Sequence, residues 1–206
     1  MVIEQLDFLK GKPARIGVIA DTHIPDRVGS LHPGILPVFK ELKVDLILHA
    51  GDISTIRVID ELQKVAPCLA VRGNRDWFRL PKQKDVILLE INGVQVALMH
   101  GHGSFFRYLF DKIPFYLHGY RFSRYPKKLS NYANGAKVII FGHTHHSENQ
   151  WVGGKLFFNP GSAYEGNHKG DPPTIGLIEI GLKKDIKGRI INLERAKWVH
   201  SSWMLN

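Results

Sequence analysis

Between Arg15 and Val71 the chain switches repeatedly between short apolar runs and longer amphipathic stretches. Arg15 to Ala20, Asp45 to His49 and Leu69 to Val71 are brief, rich in Ile, Leu and Val, and each stops at a polar or glycine residue, the pattern of buried strands. Pro33 to Lys43 places Ile35, Leu36, Val38, Phe39 and Leu42 at helical spacing. Thr55 to Val65 does the same with Ile56, Ile59 and Leu62, and Ser54 stands where an N-cap is expected. Strand, helix, strand, helix, strand predicts a parallel βαβαβ start.

The rhythm then changes. Val86 to Ile91 and Val94 to Met99 flank Asn92-Gly93, a strong hairpin signal. Ala136 to Phe141 predicts another strand, and Gln150 to Val152 with Leu156 to Phe158 predict a second hairpin around Gly153-Gly154. Thr174 to Ile180 and Arg189 to Leu193 close the series. The expectation is an α/β fold with a parallel half and a more antiparallel half. Neither an internal repeat nor a linker interrupts it, so residues 1–206 are expected to form a single domain, with an N-terminal extension over 1–14.

Composition narrows the class. Hydrophobic residues at 44% and charged residues at 23% are those of an ordinary globular protein rather than a disordered chain. The lone cysteine, Cys68, excludes an intrachain disulfide and sits in an apolar run, as a buried small hydrophobe would. Met1 to Ala14 lacks the apolar centre of a signal peptide and no run is long enough to span a bilayer, so a cytoplasmic location is expected. A formal charge of +9 favours anionic partners without choosing among them.

The candidate chemistry lies where the apolar strands stop. Successive strand ends read Asp21-Thr22-His23, Gly51-Asp52, Gly73-Asn74-Arg75-Asp76, His100-Gly101-His102 and Gly142-His143-Thr144-His145. The carboxyl ends of strands in α/β sheets form the crevice where ligands bind. Imidazole and carboxylate without thiolate suit Mn, Fe, Co, Ni or Zn. With two divalent ions and a hydroxide between them, Asp21 and Asp52 leave a cluster of about +1 by charge counting, able to attract a phosphate. The neutral amide of Asn74 suits that balance better than a third carboxylate.

In type, order and placement these motifs resemble those of the calcineurin-like metallophosphoesterases. Asn159-Pro160-Gly161-Ser162 adds a likeness to their small bacterial and archaeal phosphodiesterase branch, and the resemblance runs from about Arg15 to Leu193. It implies an αββα sandwich of two sheets with a dinuclear metal site at the strand C-terminal ends. It implies that Asp21, His23, Asp52 and His145 hold one ion and that Asp52, Asn74, His100 and His143 hold the other, with Asp52 bridging. Manganese is the first expectation, with nickel, cobalt, iron or zinc compatible. The ions would lie about 3.5–4 Å apart and share the hydroxide that attacks phosphorus. The activity implied is phosphodiester hydrolysis; Asn74, Arg75 and His102 are the candidate catalytic residues, with Arg75 and His102 also candidates for substrate binding.

One position departs from the family. Where many members carry the His of Gly-Asn-His, thought to protonate the leaving group, this chain has Arg75, which stays protonated but can clamp phosphate. Arg75 could equally pair with Asp76. His102 is the substitute candidate for acid or substrate contact, its alternative being to orient a metal ligand. His49 is expected to pack or hydrogen-bond near the site rather than ligate, and Ser162 is not expected to be a nucleophile. A protein-binding scaffold, as the retromer subunit of this fold exemplifies, and a nuclease are the alternative functions.

Residues 104–130 form a basic aromatic insertion. Between Ser104 and Lys128 stand Arg107, Lys112, Arg121, Arg124, Lys127 and Lys128 against one acid, Asp111, interleaved with nine of the chain's seventeen Phe and Tyr residues. Four readings stand: a helical lid packing its aromatics on the core, a surface for single-stranded nucleic acid that stacks bases beside phosphate contacts, an interface with a second copy or another protein, and, least favoured, contact with a membrane surface.

Overall fold

The structure, a computed structural model, describes residues 3–103, 119–164, 171–194 and 196–205. The expected βαβαβ start is present as β2 (Ala14–Ile19), α1 (Ile35–Glu41), β3 (Leu46–His49), α2 (Ile56–Gln63) and β4 (Cys68–Ala70), with β2, β3 and β4 parallel neighbours. The Asn92-Gly93 hairpin joins β5 (Val86–Ile91) to β6 (Val94–Met99), and both turn residues adopt positive φ, 50° and 71°, as the tightest hairpin turns require. Then come α3 (Tyr125–Ser130), β7 (Val138–Ile140), β8 (Ser147–Val152), β9 (Lys155–Pro160), β10 (Thr174–Ile180) and β11 (Ile186–Asn192).

Three strands were not expected. The segment read as an extension contains β1 (Ile3–Gln5), which pairs parallel with β5 at a sheet edge, and β12 (Ala196–Val199) pairs with β13 (Ser202–Leu205) as a separate hairpin. The expected division into a parallel and an antiparallel half also fails. One sheet runs β11-β10-β2-β3-β4 and the other β1-β5-β6-β7-β9-β8, and both are mixed.

Strand periodicity explains the layers. Ile16, Val18, Leu46 and Leu48 face the second sheet and meet Leu89, Val96, Leu98, Ile140 and Phe158. The alternate residues Ile19 and Ile47 point the other way and are covered by Ile35 and Phe39 of α1 and Val58, Ile59 and Leu62 of α2. The second sheet's outer face, with Ala97, Met99, Ile139 and Phe157, is covered by Leu129 of α3, Ala133, Phe122 and Tyr125. The result is helices, sheet, sheet and helix. Helices of seven and eight residues are too short to persist alone, so burial of these side chains holds α1 and α2 in place. Cys68 lies in this core, where burial pushes its thiol up to about 12 and leaves it unreactive.

Ser54 is not the cap of α2. Thr55 occupies that position without a side-chain cap bond, while Ser54 adopts φ 63° and its hydroxyl donates to Asp26 Oδ2 at 3.1 Å. Sharp chain reversal at the site takes precedence over the local capping preference.

Candidate metal centre

The five strand ends converge. Of the residues expected to ligate, Asp21, His23, Asp52, His143 and His145 all adopt left-handed backbone, with φ between 52° and 72°. Non-glycine residues pay on the order of 1 kcal/mol for that conformation, which persists where the surroundings enforce it and concentrates at functional sites. Here it turns each chain sharply off its strand and brings the side chains to one cleft. The loops approach so closely that a Cβ on Gly73 would collide with the backbone nitrogen and carboxylate of Asp52.

Asp76 ties two of those loops together. Its fully buried carboxylate accepts hydrogen bonds from the backbone N–H of Ile53 (3.1 Å), Ser54 (2.6 Å) and Gly73 (2.8 Å). It therefore does not pair with Arg75. That guanidinium lies 3.5 Å from Asp26 and 3.8 Å from Asp52, while the Arg75 backbone N–H donates to Asp52 Oδ1 at 2.9 Å. Asp26 also accepts from Arg79 and Ser54. Burial pushes its carboxyl up, but the bonds from Arg79 and Ser54 outweigh this and hold it below the usual range.

One donor atom from each of Asp21, His23 and His145 lies within 4.8 Å of the others, and the same holds for Asp21, Asp52 and His100. Asp52 faces both sides, with Oδ1 3.5 Å from His100 Nε2 and Oδ2 3.9 Å from His23 Nδ1. Asn74 Oδ1 lies 3.1 Å from His100 Nε2 and 3.0 Å from His143 Nδ1. The Ala50 carbonyl is only an acceptor, so at 2.7 Å His100 Nδ1–H donates to it and leaves Nε2 as the nitrogen turned to the cleft. Across the cleft, His23 and His145 bring their Nε2 atoms to 3.1 Å, and Asp21 Oδ1 and His23 Nδ1 are buried without hydrogen-bond partners. Clustered carboxylate and imidazole donors, with buried atoms left without hydrogen-bond partners among the described residues, suit positively charged occupants, so these residues fit divalent cations.

The electrostatics agree. Burial pushes the Asp21 carboxyl up, yet the field of His145, with His100 and His23, holds it far below the carboxylate range. Burial and the charge of Asp21 raise Asp52 to about 6 against the pull of His100. Burial lowers His23 to about 4 and takes His143 well below its ordinary value, so both rings are neutral and ligand-ready at pH 7. Burial also lowers His145, but Asp21 outweighs it and the net shift is upward.

A profile of the calcineurin-like phosphoesterase superfamily domain matches residues 15–183. The chain belongs to this superfamily. Among its members, a Methanocaldococcus jannaschii protein named as a probable metallophosphoesterase is 34% identical over 91% of this chain and 85% of its own. A second protein of that organism, named as a phosphodiesterase, is 25% identical over 82% of this chain and 95% of its own. The fold is shared with Vps29 of Entamoeba histolytica complexed with zinc (24% identity, TM-score 0.61, 86% and 98% of the two chains). It is shared too with a solved archaeal phosphodiesterase (24%, TM-score 0.58, 86% and 99%).

Other residues of this calcineurin-like phosphoesterase support the cleft. His49 accepts from the Gly51 N–H and meets the Thr22 hydroxyl at 3.2 Å, packing beneath the site. The Ser162 hydroxyl donates to the Asp21 carbonyl at 3.1 Å, and Asn159 bridges Gly142, Thr144 and Gly161. Tyr164 sets its ring edge-on to His23 at 5.8 Å. His102 is buried, 5.2 Å ring to ring from His100, with Trp77 edge-on at 5.2 Å. Sequence reasoning did not single out Asp26, Arg79, Trp77 or Tyr164. Of the supporting residues only Asp76, two positions after Asn74, carries a sequence signal, and its partners are backbone N–H groups rather than the Arg75 side chain.

Part of the basic aromatic insertion, residues 104–118, lies outside the described residues. In the remainder, Tyr120 stacks on His146 with centroids 3.9 Å apart and donates to Glu148 Oε1 at 2.8 Å. Phe122 meets Phe157, and Tyr125 stacks over Phe141 at 6.0 Å. These three rings pack on the protein. No described helix is long and apolar enough to cross a membrane.

Proposed function

We propose that this chain hydrolyses phosphodiesters at two divalent metal ions, held by Asp21, His23, Asp52 and His145 on one side and by Asp52, Asn74, His100 and His143 on the other. The observation that supports the reading is the pair of donor clusters, Asp21 with His23 and His145 and Asp21 with Asp52 and His100, in which Asp21 Oδ1 has no hydrogen-bond partner among the described residues. Such ions, manganese first among them, supply Lewis acidity toward phosphoryl oxygens and activate water at neutral pH.

The chain's own groups do the rest. Asp52 turns one oxygen to each side, which suits a bridging carboxylate. Asn74 contributes an oxygen without adding charge, leaving the cleft positive for an anionic substrate. Arg75, whose guanidinium lies 3.5 Å from Asp26, carries a planar donor fork of the kind that suits a phosphoryl oxygen. Burial, with His100, Lys128 and Arg72 nearby, lowers His102 to about 3, so it is neutral at pH 7 and suits a substrate contact better than an acid.

Neither Arg75 nor His102 is then a strong proton donor. The manganese-loaded protein should turn over bis(p-nitrophenyl) phosphate faster than a dialkyl phosphate by at least about 100-fold, the lower end of what a positioned acid contributes. His102→Ala should depress both substrates equally. A selective loss on the dialkyl ester would instead make His102 the acid, and failure to hydrolyse either diester would reject the activity. The Vps29 fold favours a second reading, a binding scaffold, under which the loaded protein would hydrolyse neither substrate.

A further inference from the structure

Among the described residues, the Arg75 guanidinium has two carboxylate neighbours, Asp52 with Oδ2 3.8 Å from Nε and Asp26 with Oδ2 3.5 Å from Nη1. Asp52 faces the metal centre with both oxygens, so its charge is engaged there. Asp26 is then the carboxylate left to oppose the Arg75 cation, which two divalent ions would otherwise repel from the cleft. The Arg75 side chain is 38% exposed, and an Arg at such a surface has many rotamers to lose when it binds an anion.

Asp26 is itself firmly held. It stands between Ile24 and Val28, both buried in the core, and the Arg27 N–H donates to the His23 carbonyl at 2.8 Å across the same turn. Its Oδ1 accepts from Arg79 and its Oδ2 from the Ser54 hydroxyl at 3.1 Å. Further along the loop, Trp203 Nε1–H donates to the Ser30 carbonyl at 3.2 Å, and a Cβ on Gly29 would come within 2.6 Å of the Trp198 ring. The β12–β13 hairpin clamps the far end of the loop whose near end carries His23. A carboxylate fixed on both sides in this way can hold a flexible guanidinium in one place.

Resting on the phosphodiesterase reading above, we infer that Asp26 is a positioning residue, which acts through Arg75 by keeping its donor fork preorganised for a phosphoryl oxygen. The two effects Asp26 can have on phosphate are opposite in sign. By charge alone, a carboxylate beside an anion site repels the anion, so removing it tightens phosphate binding. By positioning, removing it releases Arg75 and weakens phosphate binding.

Binding of inorganic phosphate to the manganese-loaded protein, measured by calorimetry, tests this without turnover, with metal content and a thermal melt recorded for each variant. Arg75→Gln should weaken phosphate binding at least about tenfold, the scale of a hydrogen bond to a charged group. Asp26→Asn is isosteric but uncharged, with one acceptor oxygen for the three donors Arg75, Arg79 and Ser54. It should weaken phosphate binding at least about threefold at unchanged manganese content, and should no longer weaken it in the Arg75→Gln background. If Asp26→Asn does not fold, Ser54→Ala, which removes the hydroxyl that holds Asp26 Oδ2, should show the same dependence on Arg75. Equal weakening in both backgrounds, unchanged or tighter binding in Asp26→Asn, or unchanged binding in Arg75→Gln would each overturn the assignment alone. Loss of manganese from Asp26→Asn would also overturn it, by making Asp26 a support of the metal loops. A wild type that binds neither manganese nor phosphate would overturn the phosphodiesterase reading and this inference together.

Discussion

Asp52→Asn should cost at least about 100-fold in kcat/KM on an activated diester while leaving the fold intact. Altering residues that merely support metal ligands typically costs 10–100-fold, and Asp52 stands closer to the chemistry than those. Its two oxygens face opposite sides of the cleft, 3.5 Å from His100 and 3.9 Å from His23. An amide presents one oxygen and no charge, so both sides weaken together. The substitution also removes a buried carboxyl whose burial and proximity to Asp21 disfavour ionisation, so the metal-free variant should be no less stable than the metal-free wild type. Steady-state kinetics beside a thermal melt separate the two effects. Unchanged kcat/KM would remove Asp52 from the site.

Asp76→Ala should act in the opposite way, through the fold first. It strips three buried backbone N–H groups, those of Ile53, Ser54 and Gly73, of their acceptor. At about 1–3 kcal/mol for each unsatisfied group, partly relieved by water, the expected loss is roughly 3–5 kcal/mol. For a chain of this length that lowers Tm by about 10 °C. Because those groups hold the loops carrying Asp52 and Asn74, metal affinity should fall with stability. Asp76→Asn keeps one acceptor oxygen and should lie between the two. A melt of Asp76→Ala within 2 °C of wild type, a margin of about 1 kcal/mol or less, would show that the carboxylate does not organise these loops.

The site was more legible in the sequence than its support. Asp, Asn and His at five strand ends are visible because strand periodicity locates the ends and ligand chemistry restricts the residue types. Asp76 and Asp26 act through backbone amides and arginines distant in sequence, and no local pattern marks such contacts. The same division holds for the fold. Strands β2 to β7 alternate or run apolar between clear breaks. The β12–β13 hairpin turns on His200-Ser201, at φ 46° and 61°, with none of the Asn-Gly or Gly-Gly signals that announce such turns. Strand β1 is only three residues long and exists by pairing with β5. Ser54 has the chemistry of a cap, but the left-handed backbone at Asp52 and Ser54 turns the chain at the cleft and leaves the cap position to Thr55.

Metal stoichiometry tests the central claim most directly. The purified chain is stripped of metal, loaded with manganese, freed of excess ion and assayed for metal per folded protein. The account predicts two equivalents for the wild type, with both weakened together in Asp52→Asn. A folded wild-type chain that retains no manganese, nor any of nickel, cobalt, iron or zinc offered in its place, would contradict it.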